Sequence, residues 1–392
     1  MWRGDPRRLI FFLGVITIAL SIYIHDPRFL GEYTDYVAIY MRDPLKILTG
    51  YPYTDYSFEY TPLIAIQWMA ATRIALLLSA YGYDPMLSIL RTTYVINTIF
   101  YIIYILAIYA IYRRIEASKI SLSLAIASPS MIYYLFYNWD ISASTLMVLG
   151  SLLFLRGRIL TSSSLLGLAA STKIFPGMVL LSLTIIIARK DYRKALKFLT
   201  TGLFVASAPY LALSILSPSA LIYILSYHSS WYCENCFYVL FTDDIFDPML
   251  RSISVPLMII IPLFFIIYIL RYSSPLEHTR YMVPPLIATS LSISLSYVYS
   301  PQMNIMISPL YLVLRDKALY ILIIQDILNT LIMVLWFHED LITEALGIES
   351  RGPWYRESPI QWIAFARIIL IWVIGLLITR EERKIYTLRA QS

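Results

Sequence analysis

The chain has 392 residues, of which 59% are hydrophobic and only 14% are charged, and its mean hydropathy is +0.67. Because ordinary soluble domains carry about 25% charged residues, this composition excludes a soluble globular class and predicts an all-α, polytopic membrane bundle. The net charge of +6 does not indicate a nucleic-acid partner, since the lysines and arginines lie in short loops between apolar runs, as expected of cytoplasmic loops.

The chain begins with three arginines within its first eight residues, which predicts a cytoplasmic N-terminus. The apolar run from Leu9 to about His25 is not followed by a small-residue cleavage site. We therefore interpret it as a retained spanning helix rather than a signal peptide. Residues 26–88 are then predicted to form the first extracytoplasmic loop, which includes an interfacial helix.

Residues 63–80 decide the predicted topology. They are apolar enough to span, but if they and the run 89–112 both cross, Arg113, Arg114 and every later basic loop would lie outside. If 63–80 lies at the interface or is re-entrant, all basic loops fall inside and the remaining outer loops are acidic. Arg73, midway along this segment, also argues against a full crossing. The second interpretation predicts about twelve crossings, with both termini inside.

The later helices are predicted at 120–137, 141–155, 159–172, 175–188, 198–217, 250–271, 281–298, 303–314, 318–337 and 360–379. Long extracytoplasmic loops are predicted at 226–249 and 338–359. Because helices in lipid pack into one continuous bundle, we treat residues 1–392 as a single transmembrane domain. The sequence contains no internal repeat, so it does not support a transporter built from duplicated halves.

The stretch 31–62 concentrates five carboxylates among seven tyrosines directly after the first helix. Ionisable groups at bilayer level mark a substrate or ion path, although a solvated, tyrosine-rich interfacial loop would have the same composition. Within this stretch, Asp35 is a candidate general base that accepts a proton from a sugar hydroxyl. The rings of Tyr33, Tyr36 and Tyr40 would partly shield its carboxylate.

Two features of the same stretch also have purely structural interpretations. Thr34 or Asp35 would serve as the N-cap of a helix that runs toward Leu48. Glu59 and Tyr60 precede a Thr-Pro pair, which by itself signals only the first turn of a helix.

Polar residues at predicted outer helix ends supply further candidates. Asp140, at the start of a helix, would bind a sugar hydroxyl or cap that helix. Lys173 is predicted to lie alone on the outer side, at a break between two helices. It would hold an anionic phosphate there, or it would simply snorkel from a helix end.

The predicted loop 226–249 contains His228, which would pair with phosphate or be solvated. Cys233 and Cys236 supply two ligands where a structural zinc site needs four, so a local disulfide or two free thiols remain open alternatives. Gln302, in a predicted outer turn, offers donor and acceptor groups that suit sugar hydroxyls or phosphate.

Several short motifs, in order between positions 34 and 309, are similar to those of the GT-C superfamily of polyprenyl-phosphate-sugar glycosyltransferases. The nearest resemblance is to polyprenyl-phosphate-mannose mannosyltransferases and to the first mannosyltransferase of GPI-anchor synthesis. The motifs are Thr34-Asp35-Tyr36 with Tyr40, Leu48-Thr49-Gly50 through Tyr53, Glu59-Tyr60-Thr61-Pro62-Leu63, Gly157-Arg158, LLGLAASTKIFP (165–176), and Ser300-Pro301-Gln302 with Pro309.

The resemblance implies an inverting plasma-membrane enzyme with its active site on the extracytoplasmic side. It would move a hexose, with mannose favoured, from a polyprenyl- or dolichyl-phosphate carrier to a glycan or glycolipid acceptor. Asp35 would be the catalytic base, and Lys173 would lie near the lipid phosphate. The expected substrate-binding residues are Tyr36, Tyr40, Glu59, Tyr60, Asp140, Lys173, His228 and Gln302.

The expected partners are membrane lipids, the lipid-linked sugar phosphate that serves as donor, and the acceptor. No cofactor beyond that donor is predicted. The aspartate in the first loop is single where some relatives carry a DxD pair, so a divalent metal stays an open alternative that nothing in the sequence supports.

A multi-pass transporter or lipid flippase without transferase activity is the alternative function class. It would require charged residues inside the spanning helices, and Asp326 with Asn329 is the obvious candidate pair. A polar contact within the bundle would explain the same two residues.

Overall fold

A computed structural model describes residues 6–115, 117–272 and 281–390. In this part of the chain nearly all regular structure is helical and the only β contacts are two isolated bridges, which confirms the predicted all-α fold. The α-helices are α1 (Pro6–His25), α2 (Asp35–Tyr40), α3 (Pro44–Thr49), α4 (Pro62–Ser79), α5 (Pro85–Ile115), α6 (Lys119–Ala127), α7 (Pro129–Tyr134), α8 (Asp140–Leu155), α9 (Ile159–Thr172), α10 (Gly177–Ala188), α11 (Tyr192–Leu216), α12 (Pro218–Ser230), α13 (Pro248–Tyr272), α14 (Val283–Leu295), α15 (Asp316–Trp336), α16 (Glu339–Leu346) and α17 (Pro359–Ala390). Short 3-10 helices span Phe237–Phe241, Pro301–Met306 and Ser308–Leu312.

The long apolar helices make the chain a polytopic membrane protein. Among the described residues, α1, α4, α5, α11, α13, α15 and α17 are long and apolar enough to cross a membrane. Four shorter apolar helices, α8, α9, α10 and α14, lie among them. The predicted number of crossings stays a prediction.

Helices α1 and α5 pack antiparallel, and their register identifies the two ends of the bundle. Arg7 lies beside Tyr109, and further along α1 a Cβ on Gly14 would lie 3.0 Å from Ile105 Cδ1. The C-terminal end of α5 is therefore at the same end of the bundle as the N-terminal arginines. There Arg114 donates to the Leu155 carbonyl at 3.0 Å. We call this the basic end, and the opposite end the distal end.

The position of α5 also shows at which end of the bundle the two ends of α4 lie. Asn97 of α5 reaches the distal end, where the side chain donates to the Asn138 carbonyl at 2.7 Å. The helix has 31 residues and is about 46 Å long at 1.5 Å per residue, so residues 85–96 extend beyond that level, away from the basic end. Thr61, just before α4, donates to the Thr172 carbonyl at 3.3 Å, which is also at the distal end. Both ends of α4 therefore lie on the distal side, which favours the interpretation that residues 63–80 do not cross.

Arg73, in the middle of α4, forms hydrogen bonds with the first loop, so its charge is not left unpaired in lipid. Its guanidinium donates to the carbonyls of Thr49 and Gly50, at 2.8 Å each, and lies 4.2 Å from the centre of the Tyr51 ring. These two carbonyls lie at the C-terminal end of α3, where they have no hydrogen-bond partner within the helix. Arg73 thus ties α4 to the loop that precedes it.

A close helix contact fixes the position of α9, the helix that ends just before Lys173. Gly167 in α9 lies against Gly202 in α11 so tightly that a Cβ on Gly167 would collide with the Gly202 carbonyl oxygen. Small residues at such a contact let two helix backbones approach each other in a membrane. Helix α9 ends at Thr172, and Lys173 follows as its extended C-cap.

Prolines account for most of the differences between the predicted and observed helices. The predicted helix 120–137 is split into α6 and α7 because Ser128 caps a new helix at Pro129. The predicted helix 303–314 is wrong, since this segment forms two 3-10 helices that each have proline in the first turn. The predicted loop 226–249 is wrong at its start because α12, which begins at Pro218, continues to Ser230.

The first loop holds two short helices instead of one helix that runs toward Leu48. The Thr34 hydroxyl accepts from the Val37 amide at 3.3 Å and begins α2. The Asp43 carboxylate accepts from the Lys46 amide at 3.2 Å and begins α3. Pro44 separates the two, because it cannot donate to the preceding turn.

The position of α4 predicts which residues react with a membrane-impermeant thiol reagent. Tyr83→Cys, in the exposed turn after α4, should be labelled by an impermeant maleimide from outside intact cells. Tyr192→Cys, exposed at the start of α11, is the matched control and should react only after permeabilisation. The native cysteines should not react, because they are bonded to each other. Labelling of Tyr83→Cys only after permeabilisation would show that α4 crosses.

Candidate active site

Asp35 lies buried at the first position of α2, and two donors hold its carboxylate. The Tyr60 hydroxyl donates to Oδ2 at 2.6 Å, and the Asn138 side-chain amide donates to the same oxygen at 3.3 Å. Thr34 caps the helix, so the alternative in which Asp35 is the cap is wrong. The carboxylate is therefore left for another role.

The surroundings of Asp35 make it a stronger base than an ordinary aspartate. Burial raises the pKa of Asp35 to about 6, although the hydrogen bonds from Tyr60 and Asn138 and the charge of Lys173 each lower it. The nearby charge of Asp140 raises the pKa further. At pH 7 the carboxylate is still mostly ionised, and its pKa lies close to the range in which proton transfer is efficient.

Lys173 is not alone, as its sequence position suggested, because it forms an ion pair with Asp140. Its Nζ lies 3.0 Å from Asp140 Oδ1, with the lysine side chain 20% exposed and the aspartate side chain 1% exposed. The other oxygen of Asp140 is buried and has no hydrogen-bond partner among the described residues. Lys173 is the member of this pair that an incoming anion can reach.

Asn138 connects the two aspartates. Its Nδ2 donates to Asp35, while its Oδ1 accepts from the Asp140 backbone amide at 2.9 Å. Its own carbonyl accepts from Asn97 Nδ2 at 2.7 Å. The side chain of Asp140 does not cap α8, so the capping interpretation of Asp140 is wrong.

An aromatic layer lies beneath these polar groups. Trp139 is buried, and its ring centre lies 4.7 Å from that of Tyr36 and 4.8 Å from that of Tyr60. The Tyr36 hydroxyl accepts from Asn97 at 2.8 Å, and Tyr36 is fully buried. Tyr36 therefore supports the cluster from below.

Glu59 and His228 form a second group next to the first. Arg42 forms a two-pronged ion pair with Glu59, with distances of 2.6 and 2.8 Å, and the Glu59 carboxylate is buried. His228 Nε2 donates to the Glu59 carbonyl at 3.0 Å. Burial lowers the pKa of His228, and the charge of Lys173 lowers it further, so this imidazole is neutral at pH 7.

A family model described as Glycosyltransferase family 87 matches residues 62–272, which is more than half of the chain. The chain belongs to glycosyltransferase family 87. This membership confirms the prediction of a membrane glycosyltransferase. The matched segment of this family 87 chain contains Asp140, Lys173 and His228, whereas Asp35 and Gln302 lie outside it.

Among solved structures, this family 87 chain is similar to a crystal structure of ArnT from Cupriavidus metallidurans bound to undecaprenyl phosphate. The two share 11% sequence identity, with a TM-score of 0.46, over 96% of this chain and 77% of that chain. A search of curated proteins finds no match.

Two of the predicted site residues are not part of the cluster in this family 87 chain. Tyr40 is half-buried and lies near Asp84 in the turn after α4. Gln302 is half-buried in the 3-10 helix that packs against α7 and α8, and its side chain has no hydrogen-bond partner among the described residues.

Sequence reasoning missed two residues that shape the site of this family 87 chain, whereas Tyr33 was expected beside Asp35. Arg42 neutralises Glu59 and Asn97 orients Asn138, while Tyr33 contacts Asp35 as expected. Only Asn97 carried a recognisable signal, because it is an amide within a long apolar run.

The alternative transporter pair is a buried contact in this family 87 chain. Asp326 is fully buried, and it accepts from the Ser130 amide at 3.1 Å and from Asn304. Asn329 donates to Ser130 Oγ at 2.9 Å. These bonds agree with the interpretation of the pair as a polar contact within the bundle.

In the described part of this family 87 chain, no group of three or more His, Cys, Asp or Glu side chains is placed to hold a metal ion. Cys233 and Cys236 are joined by a disulfide, which decides among the alternatives left open for that pair.

The ion pair predicts a double-mutant cycle in this family 87 chain. Lys173→Met should lower stability by about 3 kcal/mol because it leaves the buried Asp140 charge uncompensated. Lys173→Met combined with Asp140→Leu should be more stable than Lys173→Met alone. The stability of both variants is measured as the midpoint temperature of thermal unfolding in detergent.

The exposed pair Lys194–Asp191, at 3.3 Å, supplies the control for this cycle. Lys194→Met should change stability by no more than about 0.5 kcal/mol, because exposed pairs contribute little. If Lys173→Met lowered the thermal midpoint no more than Lys194→Met does, burial of the Asp140 carboxylate would not depend on its ion pair with Lys173.

Proposed function

We propose that this chain transfers a hexose from a polyprenyl- or dolichyl-phosphate carrier to a hydroxyl group of a glycan or glycolipid, with Asp35 as general base. The single observation that carries the proposal is the buried Asp35 carboxylate, hydrogen-bonded by Tyr60 and Asn138, close enough to Lys173 to feel its charge. A base and a cation side by side suit a reaction that takes a proton from one substrate and releases a phosphate from the other.

The proposed reaction is a single displacement. Asp35 takes the proton of the acceptor hydroxyl as its oxygen forms a bond to the anomeric carbon of the donor. The bond from that carbon to the phosphate oxygen breaks, and the lipid phosphate leaves with the electron pair. Attack from the side opposite to the phosphate inverts the anomeric configuration. Positioning and charge stabilisation supply most of the barrier lowering, because phosphate is a good leaving group.

The environment of Lys173 supports its role toward the donor phosphate. Its side chain is partly exposed while its partner Asp140 is buried, so a phosphate approaches the lysine and not the aspartate. Asp140 holds the ammonium in place before the donor arrives. His228 is neutral and its Nε2 is used by Glu59, so any contribution of His228 to phosphate binding is as a hydrogen-bonding group rather than as a cation.

The sugar is proposed to be mannose on the sequence resemblance alone.

The carboxylates of Glu59 and Asp140 are occupied by Arg42 and Lys173. Tyr60, whose hydroxyl donates to Asp35, is therefore the predicted substrate-binding residue that borders the base most directly.

An extracytoplasmic active site in the plasma membrane is supported by two features of the distal end. The N-terminal arginines and Arg114 lie at the other end of the bundle, which is the cytoplasmic side under the positive-inside rule. The Cys233–Cys236 disulfide lies in a distal loop, and disulfides persist mainly in oxidising, extracytoplasmic compartments.

The experiment uses the full chain in liposomes, with farnesyl-phosphate mannose as donor and octyl α-mannopyranoside as acceptor. Wild type should form the disaccharide, and Asp35→Asn should lower kcat by at least about 100-fold, because it removes the base. Asp340→Asn, in the exposed first turn of α16, is the matched control and should keep full activity. Full transfer by Asp35→Asn would exclude Asp35 as the base, and movement of the lipid across the bilayer without transfer would favour a flippase.

The pKa of Asp35, raised by burial to about 6, predicts the pH dependence of the reaction. The value of kcat/KM should fall as the pH drops below about 6, because protonated Asp35 cannot accept the acceptor proton. Tyr60→Phe removes a hydrogen bond that stabilises the carboxylate, so the acidic limb should move to higher pH. A pH–rate profile that does not change in Tyr60→Phe would show that another group titrates.

A further inference from the structure

The disulfide loop at the distal end carries one carboxylate that the proposed reaction does not use. Cys233 and Cys236 are both buried and bonded to each other, and Glu234 lies between them. Glu234 is half-buried and forms no salt bridge with any Lys, Arg or His in the described ranges. The short ring closed by the disulfide limits where Glu234 can move.

Three hydrogen bonds to its backbone and one to the Asn235 side chain hold this loop. The Glu234 amide donates to the Tyr297 carbonyl at 3.1 Å, and the Glu234 carbonyl accepts from the Tyr299 amide at 2.9 Å. Asn235 has a left-handed backbone, with φ of 47°. Its carbonyl accepts from Arg367 at 3.3 Å, and its side chain accepts from Gln361 at 3.1 Å. Two side chains of helix α17 thus hold the loop in place.

The Glu234 side chain is oriented by an aromatic group that leads back toward Asp35. Trp231 Nε1 donates to Glu234 Oε2 at 2.8 Å. The Trp231 ring lies 4.9 Å from the ring of Tyr227, and Tyr227 is close enough to Asp35 and Glu59 to feel both charges. A row of aromatic rings therefore connects the two carboxylates.

Tyr33 connects the same two carboxylates on another side. Burial raises the pKa of Tyr33, and the charges of Asp35 and Glu234 raise it further, so its hydroxyl lies near both. Its ring lies 5.6 Å from that of Tyr137, and the Tyr137 carbonyl accepts from the Asp35 amide at 3.1 Å.

We propose that Glu234 binds hydroxyl groups of the sugar acceptor, with the rings of Trp231, Tyr227 and Tyr33 against the apolar faces of the acceptor sugar. This inference rests on the proposed function and adds to it the residue that selects the acceptor. An ionised carboxylate accepts hydrogen bonds from sugar hydroxyls, and aromatic rings supply rigid apolar contact area.

Charge assigns this subsite to the acceptor rather than to the donor. The donor carries a phosphate, and the carboxylate of Glu234 would repel it, because Glu234 forms no salt bridge in the described chain, although Arg367 is near enough for the two charges to interact. Lys173 pairs with Asp140 and its charge acts on Asp35, whereas the charge of Glu234 acts on Tyr33, which also contacts Asp35. The cation proposed for the donor and the carboxylate proposed for the acceptor therefore both belong to the surroundings of Asp35, the base that removes the acceptor proton.

The test measures both Michaelis constants with farnesyl-phosphate mannose and octyl α-mannopyranoside. Glu234→Gln should raise KM for octyl α-mannopyranoside about tenfold, the effect of losing one charged hydrogen bond, and change kcat and the donor KM by less than about twofold. The matched control is Glu349→Gln, at an exposed position of another distal loop, which should change neither constant. A change in the donor KM alone, or no change in the acceptor KM, would overturn the inference.

The disulfide supplies a second variant that acts through Glu234. Cys233→Ala combined with Cys236→Ala should raise the acceptor KM in the same direction as Glu234→Gln, because the loop no longer fixes the carboxylate. Adding Glu234→Gln to this pair should cause little further change. Fully additive effects would show that the disulfide does not position Glu234.

A binding measurement separates this inference from the proposed function. In the Asp35→Asn background, octyl α-mannopyranoside should still bind, as measured by tryptophan fluorescence, and Glu234→Gln should weaken that binding about tenfold. Binding that Glu234→Gln does not weaken would overturn the inference while leaving Asp35 as the base. Absence of transfer by wild type, with binding that Glu234→Gln does weaken, would overturn the proposed reaction and leave the subsite.

Discussion

The ion pair between Lys173 and Asp140 is the interaction on which the whole site depends. It joins the end of α9 to the start of α8 across 3.0 Å, and it compensates a carboxylate that would otherwise be buried without a counter-charge. Asn138 then transmits the position of Asp140 to Asp35 through its two side-chain hydrogen bonds. Lys173 thus contacts one aspartate directly and is linked to the other through the Asp140 backbone and Asn138, and its side chain stays partly exposed.

A second buried polar layer supports the loops at the distal end. Arg367, fully buried in α17, donates to Asn329 and to the carbonyls of Asn235 and Tyr299, and it lies 3.7 Å from the centre of the Tyr299 ring. Ionisable groups at this depth persist when backbone carbonyls and amides satisfy them. Asp326, in the same region, is held by backbone and side-chain donors. This layer connects α17 and α15 to the disulfide loop, so the helices far along the chain position the site.

Composition and charge were enough to predict the helical bundle, the basic loops at one end and Asp35 at the other, because each depends on local sequence. The Ser128-Pro129 break was not predicted, since proline is tolerated inside some spanning helices, as Pro209 is in α11. The partner of Lys173 could not be predicted, because the contact depends on how α8 and α9 pack. The apparent isolation of Lys173 in the sequence therefore hid an ion pair, and nothing near Tyr40 indicated that it lies beside Asp84.

The most direct test of the central claim is a cryo-electron microscopy structure of the full chain with a non-hydrolysable polyprenyl-phosphonate mannose. We expect a phosphonate oxygen about 3 Å from Lys173 Nζ, with the anomeric carbon on the side that faces Asp35. A phosphonate bound at the basic end of the bundle, or a sugar separated from Asp35 by the ring of Trp139, would contradict it.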